Sequence, residues 1–350
     1  MSPLSIVIPT QDQASELRTH LPAIMEQDYD DFEVIVVDMA STDQTKDVLE
    51  ELELRYPSLR HTRTPSTARD ISLERLALTL GIRSARHEWV VITHANCQPA
   101  TPQWLQTLSQ QMTEDKSIVL GVAKYDEQHH TWFDNKVAFF RLWNTFANLS
   151  HTRRGHAAVR ADGCNLALRR SLFLNKNGLG DHLNLLTGAE ELLVNRLSTP
   201  TNTAICNSPD AIVIEDHLPD RRLWKKSRVF YIETRRHQHH TLLYRFRQNL
   251  LLLTPWVLLV ALAATWPLLH HFLPGEDTAA AILTALVSLL VITAIGVWIN
   301  RWNRAAHAIG YERNHYLTIP LFTLELPFWH LGARLAHRFA SKTDFYKKFV

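Results

Sequence analysis

Along residues 1 to about 125, short apolar runs alternate with amphipathic ones, the pattern of a parallel sheet with crossover helices. Ser5 to Ile8, ended by Pro9, predicts a strand. Ser15 to Gln27 places Leu17, Leu21 and Ile24 on one helical face, and Phe32 to Val37 (FEVIVV) predicts a buried strand. Asp38 to Asp43 predicts a turn in which Ser41 or Thr42 caps a helix carrying Val48, Leu49 and Leu52. A helix from about Arg69 to Ser84 precedes a strand at Val90 to Ile92. A helix over Trp104 to Met112 and a strand over Ile118 to Val122 follow. In open sheets of this kind ligands bind beyond the carboxyl ends of the strands, so Pro9, Asp38 and His94 at three such ends predict a shared pocket.

The pattern changes near residue 248. Gln248 to Gly275 and Thr278 to Asn300 contain no Asp, Glu, Lys or Arg. At a rise of ~1.5 Å per residue, ~20 residues cross a hydrocarbon core of ~30 Å, so each run predicts a transmembrane helix, centred on 250–269 and 279–299. Arg235, Arg236, Arg245 and Arg247 precede the first, and Arg301, Arg304 and Arg313 follow the second. The connecting loop carries Glu276 and Asp277 but no base. The excess of basic flanks predicts that both outer ends lie in the cytoplasm, with a short external loop. Residues 301–350 mix apolar positions such as Leu321, Phe328 and Trp329 with Arg334, Arg338 and Lys347, which predicts an interfacial amphipathic helix with a basic tail. Met1 leads almost directly into a strand pattern, so no signal peptide is expected.

Composition narrows the classes. A chain of 350 residues, 46% hydrophobic, can bury a full core with room for more than one unit. A net charge of +2 argues against a nucleic-acid binder that relies on a strong global field. Cys97, Cys164 and Cys206 are widely spaced, odd in number and in no CxxC pairing, which argues against a disulfide framework or a zinc module and for a reducing compartment. The 19 histidines, with doublets at His129-His130, His239-His240 and His270-His271, show no ligand spacing on a recognisable frame.

Asp38, directly after four apolar residues, is by position either a turn former or a ligand-reading acid. A set of ordered motifs adds to this reading: SIVIPT, EQDYDDFEVIVVD with STDQT, LALTLGIRSA, WVVITHANCQP, DGCNLALRRSLF, TGAEELLVNRLS and WKKSRVFYIETRRH, running into apolar helices. Together, from Ser2 to about residue 300, they resemble the bacterial membrane-attached family 2 glycosyltransferases of GT-A fold. The resemblance implies an α/β GT-A domain over 1–240, a transmembrane hairpin within 248–300 and a cytoplasmic interfacial tail over 301–350.

The resemblance also implies roles. Asp38 would contact the uracil or ribose end of a nucleotide-diphosphate sugar, with Pro9 shaping the floor. The family's Asp-x-Asp turn, which holds Mg2+ or Mn2+ against the diphosphate, falls on His94, Ala95 and Asn96, so the metal acids are replaced. Glu190 falls on the catalytic carboxylate that takes the acceptor proton, with Ala189 before it and Glu191 as a second candidate. Both acids also read as ordinary first-turn residues favoured by the helix dipole. Asn165 and Arg169 would line the acceptor side, although Arg169 reads equally as a surface charge. Arg235, Arg236 and His237 fall on the family's late basic motif, while Glu233 and Thr234 depart from it. The two arginines are either diphosphate ligands or juxtamembrane anchors. The implied function is an inverting glycosyltransferase, metal-independent if Arg235, Arg236, His237 or Lys225 supplies the missing charge. Its expected surroundings are a nucleotide sugar, a glycan or lipid-linked acceptor and inner membrane lipids, with the catalytic domain cytoplasmic. The alternative is a catalytically reduced scaffold or regulatory subunit of a glycan assembly complex.

Overall fold

The structure is a computed structural model, and it describes residues 2–65, 70–126, 131–239, 241–272, 277–311 and 318–347. Met1, Arg69, His129, His130, His240, Gly275, Glu276, Arg313 and Val350 lie outside these ranges, so the expectations that fall on them lie outside the described residues. The chain divides into one unit of residues 1–241 with 333–350, and a second of 242–332.

In the first unit, β1 (Leu4–Thr10), α1 (Ala14–Met25), β2 (Phe32–Asp38), α2 (Thr45–Arg55), β3 (Leu59–Arg63), α3 (Leu73–Ser84) and β4 (Trp89–Ile92) form the alternating half. Strands β1, β2, β3 and β4 are mutually parallel in the order β3-β2-β1-β4. Ile6, Ile8, Val34 and Val36 pack beneath Leu17, Leu21, Ile24 and Leu49 of the helices on one face. Val7 and Val37 meet α3 at Gly81 on the other. Both faces are covered, which is why FEVIVV is an unbroken apolar run. Each such fully buried Val, Leu or Ile contributes ~1.5–3 kcal/mol.

Strand β1 continues through Pro9 instead of stopping there. Val7 O, which faces β4, accepts from Thr93 N at 3.2 Å, and Thr10 O, which faces β2, accepts from Met39 N at 2.8 Å. Pro9 therefore turns its missing donor toward β4, whose ladder has already ended at the Val7–Ile92 pair. Helix α2 also starts later than expected. Ser41 Oγ accepts from Asp12 N at 2.9 Å and Thr42 N donates to Asp12, so both candidate caps tie two loops together, and Gln44 stands at the cap position.

The remainder is mixed. After β5 (Cys97–Pro99) and α4 (Trp104–Ser109), the expected strand over 118–122 splits into β6 (Ile118–Leu120) and β7 (Val122–Tyr125), which join different sheets. An unforeseen 22-residue helix, α5 (Trp132–Arg153), opens on a capping box made by Thr131 and Asp134. Next come β8 (Leu166–Arg169), α6 (Arg170–Asn175), α7 (Ala189–Leu197), β9 (Thr203–Ile205), β10 (Ile212–Glu215) and α8 (Arg221–Arg236), the last capped by Asp220. Strand β8 runs antiparallel between β4 and β6, completing a seven-stranded sheet, and β5, β10 and β7 make a second sheet of three.

In the second unit, α9 (Leu242–Phe272) and α10 (Asp277–His307) contain the two charge-free runs. Two stretches, Leu242–Thr265 and Thr278–His307, are long and apolar enough to cross a membrane. Leu250, Leu253, Val257, Leu289, Leu290 and Ile292 are exposed. Helix α11 (Thr318–Phe339) begins here, where Trp256 Nε1 donates to Leu324 O at 3.3 Å. The expected single interfacial tail is thus divided. From Ala333 onward the chain belongs to the first unit, where Phe345 is buried and His337 and Tyr346 reach Glu233 of α8, each at 2.6 Å.

Candidate active site

The carboxyl ends of β1, β2 and β4 lie at one sheet edge, and antiparallel β8 begins there. Pro9, Asp38, His94 and Cys164 are collected at that edge as a result. Asp38 is only 2% exposed. Its Oδ1 accepts from Ser41 N at 2.8 Å and its Oδ2 lies 3.2 Å from Arg63 Nε. The carboxylate therefore braces its own turn and holds the exposed Arg63 guanidinium beside it.

Around His94 the geometry is denser. Glu190, in the first turn of α7, is 6% exposed, and its Oε1 lies 3.5 Å from His94 Nε2. The other ring nitrogen, Nδ1, lies 3.6 Å from Cys164 Sγ. Two glycines make this possible. A Cβ on Gly163 would come within 2.9 Å of the Glu190 carboxyl carbon, and a Cβ on Gly188 would run into the Thr234 side chain. Gly188, at φ +74°, also takes the left-handed conformation that starts α7. His94, Gly163, Cys164 and Glu190 line a cavity of 440 Å³ together with Tyr125, Arg141 and Asp162. It adjoins a larger cleft of 1350 Å³, with Tyr125, Arg160, Glu191 and Glu215 shared between them.

The electrostatics follow from burial and partners. Burial alone would raise Glu190, but the hydrogen bond and charge of His94 hold it below the usual carboxylate value. For His94 burial acts downward and is outweighed by Cys164 and Glu190, which lift it well above 6.5. Glu74, in the first turn of α3, is pushed up to about 8 by burial and the Glu190 charge. Glu191 is raised by burial even though Arg160 stands 2.6 Å away.

Arg141 of α5 organises the far wall. It forks onto Asp162, with bonds of 2.8, 2.9 and 3.0 Å, reaches Glu215 Oε2 at 2.5 Å and lies 4.4 Å over the Tyr125 ring. Asp162 stands in the quoted DGCN motif, whereas nothing in the aromatic-rich sequence of α5 singles out Arg141.

Several expected site residues have other duties. Asn165 is buried, accepts from Trp104 Nε1 at 3.2 Å and donates to the carbonyls of Val122 and Ala211 at 2.9 and 2.8 Å, so its amide braces the core. Arg169 pairs in register with Trp89, at the opposite end of β4 from His94, and donates to backbone carbonyls of Thr113, Glu114 and Lys116. Asn96 Nδ2 donates to Glu215 Oε1 at 3.2 Å. Arg235 lies over the Tyr231 ring, the exposed Arg236 pairs with Glu233, and His237 packs on His182 and bonds Tyr346. Neither cavity is lined by these three residues or by Lys225.

The donor set at the turn does not suit Mg2+ or Mn2+, which favour oxygen ligands. Ala95 offers no donor and the Asn96 amide is engaged. The nearby carboxylates of Asp162 and Glu215 are both engaged by Arg141.

Residues 5–173 match the family model described as Glycosyl transferase family 2. A stretch of 134 residues is 31% identical to the chondroitin synthase of Escherichia coli, covering 37% of this chain and 19% of that protein. The fold is similar to that of the mannosyltransferase PcManGT from Pyrobaculum calidifontis, solved with GDP-Man and Mn2+. The TM-score is 0.59 at 20% identity, over 97% of this chain and 87% of that one.

Proposed function

We propose that this chain, whose residues 5–173 match the family 2 glycosyltransferase model, is an inverting transferase that moves a sugar from a nucleotide-diphosphate donor to a glycan or lipid-linked acceptor. The observation that carries this reading is the Glu190 carboxylate, buried at the head of α7 and facing the 440 Å³ cavity beside the turn after β4. The donor lies along the β1–β2–β4 edge with its nucleoside end toward Asp38 and Arg63. The acceptor enters through the adjoining 1350 Å³ cleft. Its hydroxyl oxygen attacks the anomeric carbon and its proton passes to Glu190. The bond from that carbon to the diphosphate breaks, the nucleoside diphosphate leaves with the electron pair, and the configuration inverts.

No step runs through a hard cation at the turn. The exposed apolar surfaces of α9 and α10, flanked by Arg245 and Arg247 and by Arg301 and Arg304, favour a hairpin in the inner membrane with both outer ends cytoplasmic.

The test is nucleoside diphosphate release by the detergent-solubilised chain with a panel of nucleotide sugars, with and without Mg2+ or Mn2+. Turnover without either ion, lost in Glu190→Gln, is the expected result. Donor binding with no release under any condition would leave a nucleotide-binding scaffold instead.

A further inference from the structure

His94, Cys97 and Cys164 converge although 70 residues separate the first from the last. One ring nitrogen of His94 and the two sulfurs all lie within 4.8 Å of one another. Rigid elements hold all three. His94 follows β4, and its carbonyl accepts from Cys97 N at 3.1 Å. Cys97 opens β5, in register with Glu215 of β10, and Cys164 N donates to Asp162 Oδ1 at 3.2 Å.

We infer that these three side chains form a binding site for a thiophilic dication, Zn2+ by its chemistry, at the turn after β4. With Zn–S of about 2.3 Å and Zn–N of about 2.0 Å, a tetrahedral S–N edge is about 3.5 Å. The Nδ1–Sγ separation of His94 and Cys164 is 3.6 Å. Binding releases the protons on the two sulfurs and on Nδ1, so two thiolates and a neutral imidazole leave the bound dication without net charge. The surroundings fit this arrangement. Arg141 Nη2, 3.5 Å from Cys164 Sγ, is placed to stabilise a thiolate. Glu190 accepts from Nε2 of the same ring, the carboxylate–imidazole pair that orients histidine ligands of zinc. Three protein ligands leave a fourth position, and His94 and Cys164 both line the 440 Å³ cavity. The site deepens the proposed transferase by naming the ion beside Glu190, while the binding itself does not depend on that activity.

The full chain in detergent, reduced and stripped of metal, is titrated with Zn2+ and then with Co2+, whose sulfur-to-metal absorption reports thiolate ligation. One ion per chain is expected, weakened at least about 100-fold in Cys164→Ser and in Cys97→Ser. In Glu190→Gln the loss is about 10-fold. His94→Ala, at a side chain 29% exposed, checks the site without disturbing the core. Cys206→Ser, at a cysteine in no group with the other two, leaves binding unchanged. No thiolate–cobalt band, binding indifferent to the Cys164 and Cys97 changes, or a Cys97–Cys164 disulfide forming in place of metal uptake would each overturn the inference. Sugar transfer by a chain that takes up no Zn2+ removes the metal site and leaves the proposed function standing. Zn2+ uptake by a chain that transfers no sugar does the reverse.

Discussion

The turn after β2 and the turn after β4 stand at the same sheet edge and are built differently. The first keeps a carboxylate, Asp38, which bonds its own turn and holds Arg63 outward. The second has an imidazole with two cysteine thiols beside it, and a carboxylate, Glu190, reaches its ring from a helix 96 residues further on. Under the proposed function the first turn would hold the donor and the second would serve proton transfer, so the two should fail in different kinetic constants.

The largest expected effect is in Glu190→Gln, which removes the proposed proton acceptor and should lower kcat by about 10²–10⁴-fold while donor binding persists. Release kinetics with donor-binding measurements check both halves. Gly163→Ala comes next. Its new methyl pushes against the Glu190 carboxyl end, and a displaced base costs about 10- to 100-fold in kcat. Because the displaced group is the end of a flexible side chain, Tm should barely move. Asp38→Asn removes the charge facing Arg63 and should raise the donor KM by about 10-fold with little change in kcat. A fall in kcat alone would mean that the two turns are not divided in this way. Arg169→Ala marks the edge of the site: a stability loss of about 1–2 kcal/mol by denaturant unfolding, with both kinetic constants unchanged.

The smallest effect concerns pH. Burial would raise Glu233, but Tyr346 and His337 outweigh it and hold it below its usual 4.5. A depressed carboxylate contributes fully above the unfolded value and loses that contribution as pH falls through the folded one. Tm of the wild type should therefore drop below pH about 4.5, more steeply than in Glu233→Gln.

Much of this architecture is legible in the sequence, for physical reasons. FEVIVV can only be a strand covered on both faces, and two charge-free runs can only be long apolar helices. Asp38 and Glu190 stand out because each carboxylate interrupts apolar surroundings. Arg141 could not be found, since it lies in a helix whose aromatics face several ways and its partners come from the loop before β8 and the end of β10. Arg169 stands away from the His94 end because β8 runs antiparallel to β4. Four residues at ~3.3 Å each carry the chain ~13 Å away from the edge where Asn165 lies. The cysteines looked unrelated for the same reason, since only that reversed strand brings Cys164 back to His94 and Cys97.

The segment before Glu190 is tied down by the end of the chain. Leu186 N donates to Phe345 O at 3.0 Å, Lys347 N donates to Asn184 O at 2.8 Å, and Arg75 holds the carbonyls of Leu185 and Thr187. Such a strap, in which Phe345 is buried and Tyr346 bonds Glu233, opens more readily than the seven-stranded sheet. Heating should therefore inactivate the protein before it melts, with an inactivation temperature set by residues 341–347 and a melting temperature set by the core.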